Sequence, residues 1–290
     1  MQSIGSILKL VFVSLILGGL GGLYFLVKKV QNDFGPVIDD SQERLVSLIE
    51  DEDLLDFEPG QKEFNRALEL IATSRLEEAR EKLRFIQQLH PNSKVGPEAR
   101  RILGEINLDQ LLSIENMANK KRHIVKPGDS FFKIVKEYGT TLDNIMFLNG
   151  LMEARSLHPG DDVIVMPLDF RLVIDVARTR VELFSENELV KEYPILRMDL
   201  PGIGSRVVKA KIALRAGEVR GRPYRATHAN YRKGRKILGF KARGSQLQIR
   251  PIPEDDEENP GRGVFLSAED MEELSMLIRL GNEVEIKPEG

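Results

Sequence analysis

The chain has no cysteine in its 290 residues, which excludes disulfides, thiolate-bound metals and a cysteine nucleophile. Histidine is scarce: His90, His123, His158 and His228 are scattered, with no His-Glu-x-x-His or similar spacing. No metal site and no cofactor is expected, and each histidine reads as a surface or satisfied core residue. Net negative charge is small, -3, but it hides an asymmetry. Acids outnumber bases from Gln31 to Lys120, whereas Glu218 is the only acid among fourteen Lys and Arg between Gly204 and Pro253. The two stretches should therefore face different partners. At 290 residues with 41% hydrophobic content, the chain is long for one domain and ordinary for globular protein, so several modules are expected.

After a short tail, residues 1–9, the run LVFVSLILGGLGGLYFLV from Leu10 to Val27 holds eighteen residues without a charge, between Lys9 and the pair Lys28 and Lys29. That length crosses roughly 30 Å of hydrocarbon as a helix. No small-x-small cleavage site follows, so the run reads as an uncleaved transmembrane anchor rather than a signal peptide. Gly18 and Gly22 form a GxxxG, but a lone lipid-facing helix is the preferred reading. The flanking charges favour, slightly, the orientation opposite to the one the downstream modules require.

Residues 28–58 read as an acidic spacer, with Pro36 breaking any helix that leaves the membrane. Helical periodicity then begins. Phe64, Ala67, Leu68 and Ile71 share one face and Leu76, Ala79, Leu83 and Ile86 another, with HPNS (His90 to Ser93) as the stop. A third helix, from Pro97 to about Met117, would cover the open face through Ala99, Ile102, Leu103 and Ile106. Residues 59–119 resemble one tetratricopeptide repeat, which serves as a spacer or a peptide-binding surface.

His123 to Pro167 reads HIVKPGDSFFKIVKEYGTTLDNIMFLNGLMEARSLHPGDDVIVMP. The order is a short strand, a PGD turn, a helix capped by Ser130, a second helix from about Leu142 to Asn149, a second PGD turn and the strand Val163-Ile164-Val165. This βααβ stretch closely resembles the LysM module. The resemblance implies binding of the N-acetylglucosamine-containing glycan of peptidoglycan or chitin. The implied groove lies between Gly128, Asp129, Ser130, Phe131 and Asn149, Gly150, Leu151, Met152. Ser130 as a cap and Gly128 as a turn former are also explained without a ligand.

From Pro167 onward the pattern alternates: Leu172, Ile174 and Val176 on one face, then Val181, Leu183 and Leu189 around a turn at Ser185 to Glu188. The opening strands, KAKIAL (Lys209 to Leu214), LQIR (Leu247 to Arg250) and the closing AEDMEELSMLIRLGNEVEI resemble the L,D-transpeptidase catalytic domain, over residues 170–288. That family works by acyl transfer through a cysteine thiolate, a histidine base and backbone oxyanion donors. Here Val264 stands at the cysteine position, Leu266 at that of the following arginine and Arg250 at that of the histidine, so no catalytic residue is assigned. Valine has no lone pair with which to attack. Ser267 and His228 are not linked by spacing, and SAED places Ser267 as a helix N-cap.

The basic stretch from residue 204 to 253 interleaves Tyr224, Tyr231 and Phe240. It could grip anionic wall polymer, bind nucleic acid, or form a solvated hairpin face; the solvated face is the preferred reading, with anionic wall polymer next. The LysM module argues for the wall side of a membrane, and so against nucleic acid. The expectation is a multidomain α+β envelope protein, membrane-anchored through one helix, whose LysM module binds peptidoglycan glycan strands beside a non-catalytic transpeptidase-like domain facing the periplasm or wall. The alternatives are an active transpeptidase or hydrolase with an unorthodox nucleophile, and a cytoplasmic adaptor.

Overall fold

A computed structural model describes residues 58–153, 157–202, 204–226, 228–253 and 261–288. The expected anchor at 10–27 and nearly all of the acidic spacer lie outside the described residues. Among the described residues no helix is long and apolar enough to cross a membrane.

Helix α1 (Gln61–Ala72) and helix α2 (Leu76–Leu89) lie side by side, and α3 (Gly96–Leu112) packs on α2. Their core is Phe64, Ala67, Leu83, Ile86, Val95, Ala99, Leu103 and Ile106. Ala67 and Ala79 are fully buried, as expected of small residues where helices approach closely. Two apolar positions depart from expectation: Leu68 and Leu76 face solvent, while Leu70 is buried. The buried stripe on α1 runs Phe64, Ala67, Leu70, a step of three, and Leu68 lies about 100° around the helix from Ala67. Helix α3 stops at Leu112, short of Met117. Local polar bonds end it: Ser113 Oγ accepts from the Glu115 amide (3.3 Å), and the Asn116 side chain donates to Gln110 O (3.2 Å) and accepts from the Ala118 amide (3.1 Å).

Strand β1 (Lys121–Ile124), helix α4 (Phe131–Tyr138), helix α5 (Leu142–Leu148) and strand β2 (Asp162–Val165) form the βααβ unit. β1 and β2 pair antiparallel, with His123 opposite Val163. Ser130 and Thr141 cap the two helices by accepting from the amides of Lys133 (3.3 Å) and Asn144 (3.1 Å). The core beneath is Val125, Phe131, Ile134, Ile145, Val163 and Val165.

The rest is one ten-stranded sheet and a helix. In chain order the strands are β3 (Phe170–Asp175), β4 (Arg180–Ser185), β5 (Glu188–Pro194), β6 (Arg197–Asp199), β7 (Val208–Val219), β8 (Arg222–Arg225), β9 (Arg235–Ala242), β10 (Ser245–Pro251), β11 (Gly263–Leu266) and β12 (Glu283–Lys287). In space the order is β5-β4-β3-β12-β7-β9-β10-β11-β6, with β8 on β7. β3 with β12 and β10 with β11 are parallel; the other pairs are antiparallel. The β4–β5 hairpin turns at Glu186 and Asn187, inside the expected turn, with Glu186 left-handed (φ 53°). Strand β7 runs well beyond KAKIAL, with a register shift between Ile212 and Leu214. Helix α6 (Ala268–Leu277) covers β9 and β10, capped by Ser267, whose Oγ accepts from the Asp270 amide at 3.0 Å.

These α and β parts do not stand apart. Helix α3 lies along β5, where Asn107 Nδ2 donates to Val190 O (3.3 Å) and Lys191 Nζ bridges Glu105 (2.9 Å) and Glu273 (2.8 Å). The βααβ unit meets α6 through Thr141 Oγ1, which donates to Met276 O at 3.0 Å. Pro59 to Gly290 form one compact unit holding all three apolar cores, and so carry what they need to fold without the preceding segment.

Candidate functional site

The first implied glycan loop is built around a buried carboxylate. Asp129 accepts from the Lys126 amide (2.9 Å) and Lys133 Nζ (2.9 Å), and pairs with His123 Nε2 (3.0 Å). His123 Nδ1 in turn meets the Tyr138 hydroxyl at 3.0 Å. Lys133 first, then the Lys126 amide and His123, hold the Asp129 carboxyl well below the usual carboxylate range. Asp129 thus shapes the turn, and its oxygens are committed within the protein. Phe131 is in the core and Ser130 Oγ is on its helix. What this loop offers a ligand is backbone at Gly128, left-handed (φ 84°), and at Ser130.

The second loop follows the same rule. Asn149 Nδ2 donates to Ile145 O (2.7 Å) and Ile164 O (2.8 Å), while its Oδ1 accepts from the Ile164 amide (2.8 Å). Its side chain therefore ties the end of α5 to β2. Leu151 packs on the βααβ core. Gly150 (φ 61°) leaves open space above its Cα, and Met152 is 87% exposed. Gly128, Ser130, Gly150 and Met152 face outward, whereas Asp129, Phe131, Asn149 and Leu151 hold the loops in place. Sequence reasoning left His123 and Tyr138 out of this arrangement, although His123 is a satisfied buried histidine, as its surroundings require.

The Asp129 network sets an acid limit on this unit. A depressed folded pKa contributes stability that is present above the unfolded value of about 3.9 and lost as pH falls through the folded one. Melting followed between pH 5 and 2 should show wild type losing stability below about pH 4, and Asp129→Asn, weaker at neutral pH, losing less across the same window. An identical acid slope in both proteins would place the sensitive group elsewhere.

In the terminal sheet the register decides what the three departed positions can do. β10 and β11 run parallel with Ile249 opposite Val264 and Arg250 opposite Phe265. Paired residues share a face and neighbours along a strand alternate. Val264 and Leu266 consequently point into the main core with Ile249, all fully buried, and Arg250 points to the opposite face. There Arg250 Nη2 meets Glu218 (2.9 Å), which also faces Arg235 (3.5 Å), and Arg197 lies 4.3 Å over the Phe265 ring. The three positions do not converge. Ser267 and His228 are each used as caps, His228 Nδ1 accepting from the Asn230 amide at 3.0 Å, and no hydrogen bond joins them among the described residues.

The basic stretch divides in two, so it is not simply a solvated face. Arg215, Lys236 and Arg250 are buried and ion-paired. Arg215 meets Asp143 of α5 and donates to Ser275 O (3.1 Å), and the Tyr231 hydroxyl donates to the same Asp143 carboxylate (2.9 Å). Burial pushes the Tyr231 hydroxyl far above its ordinary range, so it keeps its proton and remains a donor. Lys209, Lys211, Arg220, Arg222, Lys233 and Lys241 stay exposed.

With that geometry in place, residues 123–165 match the LysM domain family. Among solved structures the chain is similar to an L,D-transpeptidase from Stackebrandtia nassauensis, at 12% identity and TM-score 0.29, over 41% of this chain and 56% of that one. It is also similar to one from Mycobacterium smegmatis (10%, TM-score 0.29, 44% and 64%) and to Mycobacterium tuberculosis L,D-transpeptidase 1 (8%, TM-score 0.28, 47% and 70%). The chain spans 56% and 64% of the first two of these structures. No curated protein matches the chain. The chain carries a LysM domain and has no cysteine to act as a nucleophile. With every TM-score below 0.3, the chemistry of the terminal sheet rests on its own residues.

Proposed function

We propose that this chain is a non-catalytic envelope protein that binds the N-acetylglucosamine-containing glycan strands of peptidoglycan through residues 123–165. The carrying observation is the LysM match on a unit whose two implied loops are held from inside, leaving Gly128, Ser130, Gly150 and Met152 outward. Backbone donors and acceptors meet N-acetyl and hydroxyl groups, and the Met152 side chain lies against a sugar face. The terminal domain is a transpeptidase-like frame without the acyl chemistry, since valine and leucine at positions 264 and 266 fill the core. The exposed lysines and arginines from 209 to 241 would add salt-sensitive attraction to anionic wall polymer. The apolar run at 10–27 anchors the chain in the membrane, with residues 59–290 on the wall side.

The test is retention of residues 59–290 on purified sacculi. Met152→Asp should lower retention about ten-fold, roughly 1.4 kcal/mol, with stability within about 0.5 kcal/mol of wild type because the residue is exposed. No retention of the wild type at physiological salt would end the glycan reading. Release of D-alanine or new cross-links on incubation with muropeptides would instead make the protein an enzyme.

A further inference from the structure

A cleft of about 690 Å³ opens between α4 of the βααβ unit and strand β7 with the segment after α6. That volume lies within the ~300–1,000 Å³ of small-molecule sites. Its walls are mainly apolar: Phe132, Val135, Leu142, Leu214 and Leu280, of which Phe132 and Leu280 are more than half exposed. Two large apolar side chains left open on one cleft mark it as a place where an apolar group can settle.

The polar groups of the cleft narrow the choice of occupant. Thr141 Oγ1 donates to Met276 O (3.0 Å) and Thr140 Oγ1 to Asn144 Oδ1 (3.4 Å), so the wall hydroxyls are engaged within the protein. A sugar needs hydroxyl partners spread along its length, and the two wall hydroxyls are already committed within the protein. The charge is of one sign. Lys136, Arg215, Arg225 and Arg279 line the cleft, and no Asp or Glu among the described residues does. Arg215 is bound to Asp143 and Arg279 to Asp169, whereas among the described residues no ion pair joins Lys136 or Arg225 to an acid. The cleft thus combines an apolar body with two cations that no acid among the described residues pairs.

We infer that it binds a long-chain carboxylate, a free fatty acid, with the chain along Phe132, Leu214 and Leu280 and the carboxylate between Lys136 and Arg225. This inference stands apart from the glycan reading, whose loops use other residues.

The probe is 11-(dansylamino)undecanoic acid added to residues 59–290 below its micellar concentration. Saturable binding at one per chain, displaced by palmitate and not by methyl palmitate, is the expected result. Lys136→Gln with Arg225→Gln should weaken it at least ten-fold, while the Met152-dependent retention on sacculi and the melting temperature stay as in wild type. Absence of saturable binding, equal displacement by the ester, or unchanged affinity in the double variant would each overturn the assignment. Loss of sacculus retention in wild type, with probe binding intact, would strike only the glycan reading.

Discussion

Gly263→Ala should cost more than about 4 kcal/mol, the range reserved for severe core or backbone damage, and in many preparations should prevent folding. Gly263 opens β11 at φ 146°, a conformation L side chains rarely adopt. An added Cβ would lie 1.9 Å from Gln248 O and 2.7 Å from Gln248 N, both backbone atoms of the paired strand. Neither can move without parting β10 from β11. The strand behind this glycine carries Val264, Phe265 and Leu266, all fully buried, so detaching it strips the core that α6 closes. A control is Gly244→Ala at the β9–β10 turn, where φ is 84° but nothing lies within 4 Å of a new Cβ; it should cost only about 1–2 kcal/mol of left-handed strain. Urea unfolding of both variants checks this, and a loss under 1 kcal/mol at Gly263 would show that the strand pairing is not as described.

The same stretch shows how far the sequence could be read. Elements defined by local chemistry were legible: the Ser130 and Ser267 caps, the PGD turns of the βααβ unit, and the hairpin at Glu186 and Asn187 each depend on residues within a few positions of one another. The outward and inward halves of the LysM loops were not. Whether Asn149 meets a ligand or Ile164 is decided fifteen residues away, and Asp129 is committed by Lys133 and the Lys126 amide together with a strand histidine. At the terminal sheet, residue pattern could not tell that the parallel register of Arg250 with Phe265 sends Arg250 and Val264 to opposite faces. Pairing register is a long-range property that a pattern of period two cannot reveal for the partner strand. The basic stretch misleads for a related reason: Arg215 and Lys236 read as solvated charges, yet their counter-charges, Asp143 and Glu272, come from elements far along the chain.

Those distant counter-charges make Arg215→Ala the second large effect, at about 3–5 kcal/mol. Arg215 is buried on β7, and its guanidinium satisfies Asp143 of α5 and Ser275 O of α6 at once. Truncation leaves a largely buried carboxylate with Tyr231 as its remaining donor and strands a buried carbonyl, the situation in which removing one partner costs more than the pair contributed. Arg215→Ala combined with Asp143→Ala should therefore recover part of the loss, giving a coupling of ~0.5–3 kcal/mol in a double-mutant cycle. Additive losses would mean that the ion pair contributes nothing beyond packing. Because Asp143 belongs to the LysM unit and Arg215 to the sheet, hydrogen exchange in Arg215→Ala should rise first at α5 and at the end of α6. Retention on sacculi, if the LysM loops carry it, should persist, since their outward atoms are held by Asp129 and Asn149 within the unit itself. Binding that survives while the clasp is broken would assign Arg215 to the union of the two parts and leave the ligand to the LysM loops.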